Sequence, residues 1–148
     1  MKVSFLKRFI VAMILGVIAT GITLYYLSFQ IMPDIFGSDL MWTIIANRMT
    51  LAFVVAIGGV YMIHPIFGFK CPAFLRGAVF GIIISIELAV GVFIDPLSGM
   101  DAVAASPEAI SEISLFVQTL LFGAIFGSMT DVIATAIGGQ GKELLKEE

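Results

Sequence analysis

Apolar residues run along this chain in four long stretches, separated by short segments rich in proline, glycine and acidic residues. The stretches cover residues 5–29, 39–63, 72–94 and 107–137. Each exceeds the roughly 20 residues with which a helix crosses a hydrocarbon core. None alternates apolar and polar residues with the period of two that a transmembrane barrel strand needs. The pattern predicts an all-α, four-helix transmembrane bundle, formed as one domain over residues 1–148.

The residues between the stretches indicate where the helices begin and end. Ser38 suits the N-cap of the second helix, and Pro72 suits the first turn of the third. Asp95 precedes a proline and therefore avoids the α conformation, which ends the third helix. The Ser-Pro-Glu segment 106–108 provides a cap, a first-turn proline and an acid near the positive end of the helix dipole. It predicts the start of the fourth helix.

The composition favours a bilayer as the solvent. Hydrophobic residues make up 59% of the chain and charged residues 13%. A soluble domain has about 45–50% apolar and about 25% charged residues, so this chain has too few polar groups to cover a wetted surface. Membrane lipids are therefore the expected surroundings. The absence of a basic tract argues against a nucleic-acid partner.

Positive charges are distributed unevenly about the four stretches. Seven of the eight Lys and Arg residues fall on one side of a four-span arrangement: Lys2, Lys7, Arg8, Lys70, Arg76, Lys142 and Lys146. The two segments on the other side contain acidic residues and no Lys or Arg. Because Lys and Arg accumulate in cytoplasmic segments, we expect a multi-pass protein of the inner or plasma membrane with both termini in the cytoplasm.

Three charged residues lie within the spans: Arg48, Glu87 and Asp131. A charge at the bilayer centre costs about 2.5–3.5 kcal/mol on insertion scales, so each should have a partner or a watery path. Arg48 and Glu87 both lie roughly 12 Å from the outer ends of adjacent antiparallel helices. We therefore predict an Arg48–Glu87 ion pair. Such a pair would either hold the two helices together or line a polar path.

Asp131 lies about 10 Å from the inner end of the fourth helix. Its nearest plausible cation is Arg76, so Asp131 either pairs with Arg76 or joins the polar path. Arg76 and Glu87 are close to three full helical turns apart, which predicts one polar line along the third helix. Asn47 and Gln118 are the remaining polar residues at depth, and we assign them to the same path.

Small residues recur every four positions on the third and fourth helices. The ridges comprise Gly77, Gly81 and Ser85 on the third helix and Gly123 and Gly127 on the fourth. Such ridges let helix backbones approach closely in lipid, where packing drives association. They predict tight helix contacts, either within one chain or between subunits. A homo-oligomer and a complex with other membrane subunits both fit this pattern.

The sequence offers no catalytic or cofactor site. It contains one cysteine, Cys71, and one histidine, His64. Two ligands without a third are weak support for a bound metal, so His64 is interpreted as a capping or interface residue. The glycine-rich segment 138–141 lacks the lysine and the strand of a phosphate-binding loop. We expect neither an enzyme nor a bound cofactor.

Two functions fit these observations. The first is a small oligomeric channel or transporter for ions or small solutes, with the intramembrane charges along its path. The second is a non-catalytic accessory or scaffolding subunit of a larger membrane complex, held there by its small-residue ridges.

Overall fold

The computed structural model describes residues 3–30, 33–63, 68, 70–94, 112–141 and 144. Its four helices are α1 (Val3–Gln30), α2 (Asp39–Gly58), α3 (Ala73–Ile94) and α4 (Glu112–Gly138). All four are long and apolar enough to cross a membrane. The described residues form no strand, although an isolated bridge joins Ile63 to Lys70. The predicted all-α class with four long apolar helices is confirmed.

The helix ends differ from the sequence prediction mainly in α2. Ser38 caps this helix as predicted, since its side chain accepts a hydrogen bond from the Met41 amide at 3.2 Å. The helix ends at Gly58 rather than at residue 63, because two successive glycines weaken it and the chain turns there. The predicted start of the fourth helix at 106–108 lies outside the described residues.

The two ends of the described chain meet at one end of the bundle, which we call the terminal end. The Ser4 hydroxyl donates to the Gly138 carbonyl at 3.0 Å. The Gly141 amide donates to the Gly59 carbonyl at 2.8 Å, which adds the end of α2. The opposite end, which includes the turn at 33–38, is called the loop end.

The most extensive helix contact joins α3 to α4, and α1 packs on both α2 and α4. The small-residue ridges form the α3–α4 contact. A Cβ atom added to Gly81 would collide with the Gly123 carbonyl, and one added to Gly77 would collide with the Gly127 carbonyl. The ridges therefore serve packing within one chain.

Large apolar side chains cover much of the outside of the bundle. Examples on three helices are Val17, Phe53 and Leu121, which are 59%, 47% and 56% exposed. The interior holds apolar side chains such as Ile44 and Val55 together with charged and hydroxyl side chains, including Asp131 and Ser85 at 0% exposure. An apolar exterior around buried charges differs from the usual distribution in a water-soluble bundle.

Candidate functional site

Three buried charged side chains meet near the terminal end: Arg8 of α1, Arg76 of α3 and Asp131 of α4. We call them the charge cluster. Arg76 binds both carboxylate oxygens of Asp131, with Nε 2.7 Å from Oδ2 and Nη2 2.9 Å from Oδ1. Arg8 donates from Nη2 to Oδ1 of the same carboxylate. One carboxylate therefore serves two guanidinium groups, and the cluster keeps a net positive charge.

Backbone carbonyls at the end of α2 accept two further hydrogen bonds from Arg8. Its Nε lies 3.0 Å from the Ala56 oxygen, and its Nη2 lies 2.9 Å from the Val55 oxygen. The Tyr61 oxygen accepts from Arg76 Nη1 at 2.8 Å. Buried guanidinium groups are expensive unless their donors are bonded, and these contacts reduce that cost.

Thr135 adds a neutral partner inside the charge cluster, one turn after Asp131. Its hydroxyl accepts from Arg8 Nη1 at 2.8 Å and from Arg76 Nη2 at 3.3 Å. The hydroxyl also lies 3.3 Å from Asp131 Oδ1 and can donate to it. The spacing of four residues places both side chains on one face of α4.

Two glycines make room for Arg8. A Cβ atom on Gly59 would lie within the Arg8 guanidinium, and one on Gly138 would meet the backbone of Arg8 at 2.6 Å. Both glycines therefore allow three segments to close around one arginine. The charge cluster consequently ties together all four helices, since α2 contributes its carbonyls.

Arg48 lies apart from the charge cluster, in the middle of α2, and is 2% exposed. Its polar contacts are long: Nε is 3.4 Å from the Thr23 hydroxyl, and Nη1 is 3.4 Å from the Ser85 hydroxyl. The Phe126 ring centroid lies 5.1 Å from its Cζ atom. Its Nη1 also donates to the Asn47 amide oxygen at 3.3 Å. Within the described part of the chain, no carboxylate pairs with Arg48.

A cavity of about 150 Å³ adjoins Arg48 on the loop-end side. Its walls are largely apolar and come from all four helices and the turn at 33–38. Polar lining groups near Arg48 are Thr23, Gln118 and Thr119. Between this cavity and the charge cluster, the interior is filled by Leu51, which is 2% exposed, and its α2 neighbours. Arg48 therefore lies on the wall of a cavity that stops short of the charge cluster.

The predicted Arg48–Glu87 ion pair is not formed, and the two side chains lie on different sides of α3. Ser85 faces the interior toward Arg48 and is 0% exposed. Glu87 follows two residues later, a rotation of about 200° around the helix, and is exposed. The two residues were predicted to pair because they lie at equal depths, but Glu87 lies on the side of α3 that faces away from Arg48. The predicted polar line is not formed either. Eleven residues place Arg76 and Glu87 within about 20° of each other on an ideal helix. The Arg76 side chain nevertheless reaches Asp131 and is 4% exposed, whereas Glu87 is exposed.

Glu87 lines a groove of about 210 Å³ between α2 and α3, on the outside of the bundle. Thr43, Asn47 and Thr50 of α2 also line it. The Asn47 amide nitrogen donates to the Ile84 carbonyl at 2.9 Å, which joins the two helices. We call this surface the polar groove. It brings Asn47 beside Glu87, whereas Gln118 lines the cavity instead.

The structure brings together Arg76 and Asp131, as the first of the two alternatives for Asp131 proposed. The contact between Arg8 and Asp131 was not predicted, because Arg8 was counted only among the charges that set the topology. The sequence did contain a sign of it: a positive residue in the first turns of one helix, and glycines at the ends of two others. His64 lies outside the described residues, so its capping role stays a prediction. Cys71 is a half-buried free thiol.

The fold and the site together define an all-helical bundle with an apolar exterior and charged groups inside. Comparisons with protein-family models, with curated proteins and with solved structures find no match. The function is therefore argued from the arrangement of Arg48, Glu87 and the charge cluster.

The separation of Arg48 from Glu87 predicts independent effects on stability. Arg48→Met should raise the free energy of unfolding by about 1–2 kcal/mol, because a buried unpaired charge is replaced by an apolar side chain of similar length. Glu87→Gln should leave it nearly unchanged. The change in the free energy of unfolding of the double variant should equal the sum of the two single changes within about 0.5 kcal/mol. Thermal unfolding in detergent micelles tests this, and losses in both single variants that recover in the double variant would instead indicate direct pairing.

Proposed function

We propose that this chain is a multi-pass membrane transport protein for small solutes, working as a homo-oligomer. Both termini lie on the cytoplasmic side of the inner or plasma membrane. The observation that carries the proposal is Arg48, a buried charge without a carboxylate partner among the described residues, on the wall of a cavity. An intramembrane charge that is not neutralised by its neighbours is typical of a solute or ion path.

The missing Arg48–Glu87 ion pair favours transport over the role of an accessory subunit. A matched ion pair would neutralise itself and would need no role beyond holding helices together. Two separated charges at mid-span have no such explanation, since each bears its own insertion cost. This favours transport over a purely structural role.

The relation of the cavity to the charge cluster supports a transporter rather than a channel within one chain. A transporter opens its solute site to one side at a time. Here the described interior beyond Arg48 is packed, and the charge cluster closes the terminal end with several hydrogen bonds. With the termini in the cytoplasm, this arrangement corresponds to a site closed toward the inside.

The polar groove supports the oligomer. Glu87, Thr43 and Thr50 are exposed along this groove, and lipid would leave the Glu87 carboxylate unsatisfied. A neighbouring copy would cover them. The same groove favours the second candidate, an accessory subunit, in which a different membrane protein would cover it.

Flux into liposomes tests the transport function directly. Purified protein should increase the uptake of a small solute from a panel of inorganic ions and small organic anions, with a proton gradient tested separately. Arg48→Met is the matched inactive control, because it should fold and yet lose uptake. If no solute on the panel moves and the protein is recovered only with other subunits, the accessory function replaces this one.

The proposed topology predicts opposite labelling at two positions. In a Cys71→Ser background, Ser98→Cys should react with an impermeant maleimide in intact cells, whereas Gln140→Cys should not. The reason is the concentration of Lys and Arg on the side that holds both termini. Permeabilised cells provide the control, in which both positions should react. Reaction of Gln140→Cys in intact cells would contradict the topology.

A further inference from the structure

We propose that the cavity beside Arg48 binds a small organic anion: a carboxylate attached to an apolar body about the size of a benzene ring. The inference names a solute class for the proposed transport. It rests on that function only in describing the ligand as transported, since binding can be measured without transport.

The charge of the ligand follows from Arg48. This side chain is 2% exposed and lines the cavity, and no carboxylate among the described residues pairs with it. The acceptors that it does reach are neutral and lie 3.3–3.4 Å away. Arginine presents a planar fork of donors that matches a carboxylate. An anion would supply the missing counter-charge.

The size and character of the ligand follow from the cavity. Its volume of about 150 Å³ equals that of an engineered protein cavity that stays dry and holds benzene. Apolar side chains form most of the wall: Ile35, Leu40, Ile44, Leu88 and Leu115. Apart from Arg48, the polar lining consists of a few neutral groups. A ligand with one anionic group and an otherwise apolar body therefore fits, and a strongly hydrated inorganic anion does not.

Aromatic side chains indicate how such a ligand enters. Tyr26 of α1 and Phe122 of α4 pack with ring centroids 5.8 Å apart, and both line the cavity. They are 39% and 37% exposed, so they form a rim on the outside of the bundle between α1 and α4. In a membrane this rim faces lipid. The ligand comes either from solution as a free carboxylate or from the bilayer as a fatty acid, which carries the same group.

Binding of benzoate to the purified full-length protein tests the proposal. Benzoate should bind at least about tenfold more tightly than benzamide, which has the same shape and no charge. Arg48→Gln should weaken benzoate binding at least about thirtyfold, because it removes the cationic partner of a buried carboxylate. Calorimetry in neutral detergent measures both. Equal affinity for benzoate and benzamide, or unchanged binding by Arg48→Gln, would overturn the proposal.

A second variant locates the ligand without altering Arg48. Thr119→Phe fills the cavity and should abolish benzoate binding while the apo protein keeps its unfolding temperature. Val117→Phe is the matched control: Val117 has the shape of threonine and lies on the same helix as Thr119, is 46% exposed and lines neither the cavity nor the polar groove. This variant should bind benzoate like the parent. Binding retained by Thr119→Phe would overturn the location.

Nanodiscs distinguish the two sources of the anion. If oleate added to phosphatidylcholine discs competes with benzoate, the anion site is supported and its occupant comes from the bilayer. If oleate does not compete, the site is supported for free carboxylates from solution. Benzoate binding without any flux would support the anion site and refute transport. Flux of other solutes without benzoate binding would support transport and refute the anion site.

Discussion

Replacing Asp131 by asparagine should lower the free energy of unfolding by about 3–5 kcal/mol, the largest single effect expected in this protein. Asp131 is the carboxylate of the charge cluster and is 0% exposed. Its loss would leave Arg8 and Arg76 buried beside each other without a counter-charge. Their attraction to Asp131 would then be replaced by mutual repulsion in a medium of low dielectric.

Two further substitutions test whether the loss of stability comes from the charge cluster or from any change of a charged residue. Arg8→Met leaves the Arg76–Asp131 pair intact and should cost less than Asp131→Asn. Asp34→Asn provides a control, because Asp34 is exposed and forms no ion pair with the described residues. Chemical unfolding in mixed micelles measures all three. Comparable losses for Asp34→Asn and Asp131→Asn would contradict the role of the charge cluster.

Substitution of Gly81 by leucine should lower the free energy of unfolding by about 3 kcal/mol. A side chain at this position would collide with the Gly123 carbonyl on α4, which is backbone and cannot rotate away. The helices would have to separate along their whole contact. Gly123→Leu should have a similar effect, because a Cβ atom there would collide with the Ser85 hydroxyl.

Gly91→Leu is the matched control on the same helix. A Cβ atom at Gly91 meets nothing within 4 Å in the described structure, so leucine should be tolerated or should stabilise α3 slightly. The unfolding temperature in detergent separates the variants. If Gly81→Leu and Gly91→Leu unfolded at the same temperature, close α3–α4 packing would not be a source of stability.

The four helices could be predicted from the sequence because helices long and apolar enough to cross a membrane are defined by local properties. Length, apolarity and the capping residue Ser38 are all visible within a few turns of chain. The end of α2 was predicted five residues late because apolar residues continue past Gly58. The turn just after Gly58 lies against Arg8: a Cβ atom on Gly59 would collide with the guanidinium of Arg8, which lies 51 residues earlier in the chain.

The depth of the interior charges could be predicted from the sequence, but the direction in which their side chains face could not. Depth along a helix follows from counting residues, and it correctly placed Arg76 near Asp131. The direction in which a side chain faces depends on which side of the helix packs, and a hydrophobic membrane helix carries little such signal. Ser85 and its ridge did mark the packed side of α3. Since Glu87 lies about 200° from Ser85, this ridge already argued against the pair with Arg48.

The charge cluster also constrains the order in which the protein can be made. Its carboxylate lies on α4, whereas its two arginines precede it on α1 and α3. Until α4 is made, both guanidinium groups lack this counter-charge. We therefore expect the three earlier helices to pack loosely and to become fixed together only when α4 joins them. A chain cut short after α3 should be a substrate for membrane proteases.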